Sequence, residues 1–174
     1  MEREAYKEAY FFNGKNSKEI AVNDLRRSFA AVYQDFARFP MIFEENAAIS
    51  EIAEQFNDEP DSFKAEKEEF KIDTFKFEEL CKCFPIANSM LEPKTLLTRQ
   101  FEGGLDLSRG QWQRLALMRC AWADREIILL DEPTSALDPD SEHEVLEAMI
   151  ELMKGKTAIV VTHRLALCRS VDRI

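Results

Sequence analysis

Glycine is scarce in this chain. Its 174 residues include five, at positions 14, 103, 104, 110 and 155. A loop that cradles phosphates needs the pattern Gly-x-x-x-x-Gly-Lys followed by Ser or Thr, so that successive amides and the lysine can close on the anion. Gly155-Lys156-Thr157 has the right ending, but the residue five places before Gly155 is Ile150, and the segment follows a predicted helix instead of a strand. The chain therefore carries no such loop. Histidine occurs twice and cysteine four times. Only Cys81 and Cys83 are close together, and Cys-x-Cys without nearby histidines is a poor zinc pattern. The four thiols read as reduced, cytosolic cysteines. Basic charge is in deficit: 23 Lys and Arg against 33 Asp and Glu give a net charge of -10. That argues against nucleic acid as a partner, since phosphate backbones call for a basic surface. No apolar run approaches the roughly 20 residues of a membrane span. The start, Met1-Glu2-Arg3-Glu4, is charged and unlike a signal peptide.

What the chain does have suits one soluble domain with a real core: 45% hydrophobic and 32% charged residues. Tyr10-Phe11-Phe12 is a short strand candidate closed by the turn signal Asn13-Gly14. One helical turn is expected at Asn23–Arg27, and a second strand at Phe29–Tyr33, ending at Gln34-Asp35. From Pro40 to about Arg99 charge is dense and β-branched residues are few. Helical patterns at Glu44–Phe56 and Phe75–Phe84 make this a mostly helical insertion, broken near Asp58–Asp61. The run Lys64–Lys71 reads as a solvated face. After Gly103-Gly104 the pattern turns α/β: a largely buried helix at Gln111–Ala123, a strand at Ile127–Leu130, and a helix at Pro139–Met153 with Val145, Met149 and Leu152 on one face. A β-branched strand follows at Thr157–Thr162, and a last helix begins at Leu165.

The chemistry concentrates at the ends of those strands. Ile127-Ile128-Leu129-Leu130-Asp131-Glu132-Pro133 is an apolar run that ends in two carboxylates. Such a run reads as a buried strand of a parallel sheet, and ligands of open α/β sheets bind beyond the carboxyl ends of the strands. Asp131 offers hard oxygen to a divalent cation, and Glu132 a base for a water proton. Pro133 should hold the Glu132 backbone in extended values. His163 closes the strand Ile159-Val160-Val161-Thr162 and is expected on the same rim. Ser108 and Gln111 have capping-box spacing, and the helix they open presents free amides and a positive dipole end, with Gly110 allowing close approach of an anion. Asp138 before Pro139 is a helix cap in its own right.

Taken in order, Gln34, Leu-Ser-x-Gly-Gln at 107–111, Leu-Leu-Asp-Glu-Pro-Thr-Ser-Ala-Leu-Asp at 129–138 and Thr-His-Arg at 162–164 resemble the ATP-binding cassette (ABC) ATPases. The continuation Gln111-Trp112-Gln113 looks most like exporter cassettes. The resemblance implies an α/β fold: a partial P-loop NTPase-like sheet flanked by helices, with a mostly helical signature subdomain inserted. It divides the chain into 1–39, the remnant of the ATP-binding core up to the glutamine loop; 40–110, the helical subdomain ending in the signature motif; and 111–174, the remaining α/β core. It implies ATP and Mg²⁺ as ligands, with Asp131 and Gln34 toward the metal, Glu132 as general base and His163 at the γ-phosphate. Gln34 would also report nucleotide state to a membrane partner. Ser108, Gly110 and Gln111 would contact ATP held by an opposite subunit, and Asp138 would lie at the subunit contact. The implied partners are the transmembrane domains of an exporter and a second cassette in a head-to-tail dimer, at the cytoplasmic face of the plasma membrane.

Two departures stand out. Arg109 occupies a position where the family most often has glycine, and the phosphate loop is missing. The chain thus reads as a cassette without its first part and its tail, and Met1–Ala9 do not look like cassette sequence. The expected function is the ATP-hydrolysing domain of an exporter, incomplete and inactive alone. The alternatives are a non-catalytic cassette that completes a partner's site, an inactive truncated product, and a soluble non-transport ABC ATPase.

Overall fold

The computed structural model describes residues 10–58, 71–86, 90–134, 139–163 and 167–174. The chain opens with a hairpin of β1 (Phe11–Phe12) and β2 (Lys15–Asn16). Asn13 (φ 47°) and Gly14 (φ 77°) turn it. Paired positive-φ residues match the twist of a two-residue hairpin, and this Asn-Gly dipeptide is favoured for that reason. A short helix α1 (Val22–Arg27) leads into β3 (Phe29–Val32), and the Phe12 and Phe29 rings lie 6.2 Å apart. The helical segment then supplies α2 (Phe43–Ala47), α3 (Ile49–Asp58) and α4 (Thr74–Cys83). The last part runs α5 (Arg109–Ala123), β4 (Ile127–Asp131), α6 (Pro139–Met153) and β5 (Thr157–Val161), ending in a single 3₁₀ turn at Leu167–Arg169. The predicted break after Asp58 and nearly all of the charged run at 64–71 lie outside the described residues, as do the first two residues of the predicted last helix.

The fold is α/β, as expected. β3, β4 and β5 form a parallel sheet in that order. Register puts Ala30 and Val32 opposite Ile128 and Leu130, which in turn face Ala158 and Val160. These six residues share one face of the sheet, and that face enters the core. The aliphatic run of β4 predicts burial on both faces. The structure buries only one: Ile128 and Leu130 are 0% and 1% exposed, whereas Ile127 and Leu129 are half-buried. On the same outer face of β5, Ile159 and Val161 are each 56% exposed. Parallel sheets ordinarily cover both faces, so the outer side of this one carries more bare apolar surface than composition implies.

The core is organised round α5. A Ser108–Gln111 capping box starts this helix: the Gln111 amide donates to Ser108 Oγ (3.2 Å), and the Ser108 amide donates to Gln111 Oε1 (2.8 Å). Asp124, left-handed at φ 48°, ends it. Between them Trp112, Leu115, Leu117, Met118 and Trp122 are all within 2% of full burial. Apolar residues on every side of one helix mean that it is enclosed on every side. The helical segment is pinned to α5 by polar contacts as well as packing. Trp122 Nε1 donates to Glu51 Oε2 (2.9 Å), Arg114 Nη1 to the Pro85 carbonyl (2.8 Å), and Arg119 to the Ala37 carbonyl (2.7 Å) and the Asn46 carbonyl (3.1 Å). Glycine is obligatory at 104, where a Cβ would run into the Thr98 carbonyl oxygen. On α6, Val145, Met149 and Leu152 are buried together as their spacing predicts.

Truncating Leu130 to Ala removes a fully enclosed side chain and is expected to cost about 2–5 kcal/mol. Ile159→Thr on the open face is expected to stay within about 0.5 kcal/mol; urea melts of the two variants test the asymmetry, and equal losses would contradict the one-sided burial. A second expectation concerns the turn before β4. Lys156 Nζ lies 2.6 Å from Asp124 Oδ1, and this hydrogen bond and charge lower the Asp124 pKa from its ordinary 3.8. A carboxylate whose folded pKa is depressed contributes stability above its unfolded pKa and loses it as pH falls through the folded value. Lys156→Met should therefore return the Asp124 titration toward 3.8 and reduce stability above pH 4 more than at pH 2, as read by NMR titration and melts at both pH values.

Candidate functional site

Parallel register carries three strand ends to one rim. β4 ends at Asp131, which pairs with Val161, the last residue of β5. Glu132 and His163 follow within two residues of those ends, and Gln34 lies two residues beyond β3. Glu132 and His163 meet directly: His163 Nε2 is 2.9 Å from Glu132 Oε1. The carboxylate is three-quarters shielded, and the imidazole is 91% exposed. A fixed acidic oxygen thus sits beside a ring that can reorient into the space above the rim.

The backbone at Glu132 differs from expectation. The proline that follows predicts extended values, yet Glu132 has φ 45°, in the left-handed region. Three contacts override the local preference. The Glu132 amide donates to the Val161 carbonyl at 2.9 Å. From α5 the Gln113 amide donates to the Pro133 carbonyl, with a weaker reach of 3.5 Å to the Glu132 carbonyl. A non-glycine residue held left-handed costs on the order of 1–3 kcal/mol and persists where the surroundings over-determine it, which happens most often at functional sites. Here the strain aims the Glu132 side chain at His163 instead of continuing the strand.

Gln113 is the residue that the sequence reading did not single out. It is 2% exposed, one turn into α5, and joins the start of that helix to the acidic end of β4. The available signal was a polar amide in the middle of an apolar helix, since buried amides are there to be hydrogen-bonded. Ser108, Gly110 and Gln111 occupy the first turn of α5. The Ser108 hydroxyl and the Gln111 amide oxygen serve the capping box, and neither touches Glu132 or His163. Arg109 is exposed at the first helical position. Asp138 lies outside the described residues. Asp131 is half-buried and Gln34 exposed. Among the described residues no group of three or more His, Cys, Asp or Glu side chains is placed to hold a metal. A cation at this rim would therefore draw on Asp131, Gln34 and oxygens from its own ligand and water, the pattern usual for Mg²⁺. Hard oxygen donors at a strand end fit that ion.

Known proteins agree with this rim. The model of the ABC transporter family matches residues 2–135. The match includes residues 2–9, so the first residues belong to the family pattern, contrary to the expectation from sequence. The subtilin transport ATP-binding protein SpaT of Bacillus subtilis is 32% identical over 93% of this chain and 24% of its own length. An ATP-dependent lipid A-core flippase of Idiomarina loihiensis is 35% identical over 93% of this chain and 25% of its own. A solved bacterial Atm1-family ABC exporter with ATP bound shares the fold with a TM-score of 0.69, at 24% identity over 91% of this chain and 25% of that one. The chain spans about a quarter of the length of the relatives it matches. No helix among the described residues is long and apolar enough to cross a membrane. With the family model covering residues 2–135, the chain belongs to the ABC transporter family.

Proposed function

We propose that the chain forms part of the nucleotide-binding domain of an exporter, in which ATP hydrolysis is coupled to movement of a substrate across a membrane. The observation that carries this reading is the Glu132–His163 contact of 2.9 Å at the carboxyl rim of a parallel sheet, next to Asp131. The names of the relatives, a subtilin transport protein and a lipid A-core flippase, support export.

Each residue then has a role that its position allows. Glu132 accepts the proton of the attacking water, and its shielded, strained placement keeps the carboxylate aimed above the rim. His163, exposed and hydrogen-bonded on one side, contacts the γ-phosphate with its free edge. Asp131 and Gln34 hold Mg²⁺, which supplies charge neutralisation at the phosphates. Gln34 also passes nucleotide state to a transmembrane partner. Ser108, Gly110 and Gln111 face ATP held by a second cassette arranged head to tail, and Asp138 lies at that contact. The assembly sits at the cytoplasmic face of the plasma membrane through its membrane partner. No phosphate cradle is encoded between Met1 and Ile174. Because cradle amides and lysine supply much of the affinity and of the transition-state stabilisation, this chain alone binds MgATP poorly.

Two measurements follow. In a cassette that joins this chain to a phosphate-cradle segment, Glu132→Gln is expected to lower ATP turnover by about 10²–10⁴-fold, the usual worth of a positioned base; equal rates would remove Glu132 from that role. For the isolated chain, isothermal titration with MgATP is expected to show no tight binding. Tight, Mg²⁺-dependent binding would mean that another segment of this chain cradles the phosphates.

A further inference from the structure

At the opposite end of the sheet lies an open cleft of about 580 Å³. Phe29, Ala30 and Ala31 of β3 give it an apolar floor. Its walls carry four arginines, Arg26 and Arg27 of α1 and Arg119 and Arg125 flanking the end of α5, against one carboxylate, Glu54. Arg125 is paired with that carboxylate. Neither Arg26 nor Arg119 forms an ion pair with any carboxylate among the described residues. So strong a local excess of positive charge is unexpected in a chain of net charge -10.

Arg119 is the informative member. Its guanidinium is largely buried, which pulls its pKa down to about 10. It is held by the Ala37 and Asn46 carbonyls and the Asn46 side chain, and it stacks 5.1 Å from the Phe39 ring. A cation fixed in place by neutral groups keeps its full charge, and a buried charge without a counter-ion is costly. That cost is offset when an anion enters beside it.

We propose that this cleft binds a small phosphate monoester, its phosphate among Arg26, Arg27 and Arg119 and its apolar part over Phe29–Ala31. A phosphate fits better than a carboxylate, because it offers up to two charges and several acceptor oxygens to forked guanidinium donors. Ser50 and Asn23, also in the lining, add neutral donors. The volume lies in the range of small-molecule sites, roughly 300–1,000 Å³. The cleft gathers at the amino ends of β3 and β4, so its occupancy is separable from chemistry at the Glu132–His163 rim.

The probe is 1-naphthyl phosphate, followed by its fluorescence on titration with the whole 174-residue chain. Saturable binding is expected, weakened by added salt and weakened at least about tenfold in Arg26→Glu with Arg27→Glu. Both side chains are exposed, and a melt identical to the parent's establishes that the variant is folded; Arg26→Gln serves as the milder test. His163→Ala should leave binding unchanged, which separates this cleft from the nucleotide rim. Absence of saturable binding, or equal binding in the folded charge-reversal variant, overturns the proposal. So does capture by phosphatidic acid vesicles, over phosphatidylcholine vesicles, without binding of the soluble ester, because the ligand would then be a membrane headgroup.

Discussion

β4 is paired in parallel on both sides, and the rim depends on that pairing. Ile127 to Leu130 match β3 residue for residue, and Ile127 to Asp131 match β5 in the same way. Parallel strands share one direction, so their carboxyl ends fall together, and residues far apart in the chain become neighbours. The 2.9 Å contact of Glu132 and His163 is one consequence. A slip of one residue in β5 would turn Ala158 and Val160 out of the core and carry His163 out of reach. Burial of Ile128 and Leu130 at 0% and 1% exposure is therefore what holds the chemistry in place, even though neither side chain can take part in it.

α5 supplies the second constraint. One side of the helix receives the helical segment through Glu51, Pro85 and Asn46, and near its start Gln113 grips the carbonyl of Pro133. The left-handed backbone of Glu132 is a product of both elements: β5 fixes its amide and α5 fixes the carbonyl after it. Neither alone specifies the geometry. Strain of this kind survives only in a well-packed setting, and the enclosed Trp112, Leu115 and Met118 around Gln113 provide one.

Much of this was legible in the residues. Local rules sufficed for the Asn13-Gly14 turn, the Ser108–Gln111 cap and the buried stripe Val145, Met149, Leu152, because each is decided within a few positions. The acidic end of β4 was legible because a hydrophobic run that stops at two carboxylates marks the point where a buried strand comes out to solvent. What escaped is non-local. Pro133 argues for an extended Glu132, and contacts from Val161 and Gln113, 29 and 19 residues away along the chain, decide otherwise. The aliphatic content of β4 argues for two covered faces, and one remains half open because burial depends on which elements arrive to cover it. The arginine cleft was invisible for the same reason: Arg26, Arg119 and Arg125 are unremarkable in sequence and become a group only when β3 lies beside the end of α5.

The two ends of the sheet are thus opposite in character. The carboxyl rim gathers Asp131, Glu132 and an imidazole, a set suited to a cation and a proton. The amino end gathers guanidinium groups beside apolar backbone, a set suited to an anion. α5 passes between them, with Gln113 near one end and Arg119 towards the other, six positions along the same helix. Any shift of α5 along its axis would move both side chains together, changing the grip on Pro133 and the contacts to Asn46 at once. Because α5 is enclosed on every side, such a shift would have to repack the core; the helix is better regarded as a fixed spacer that keeps the two ends at constant separation while movement is confined to exposed groups such as the His163 ring.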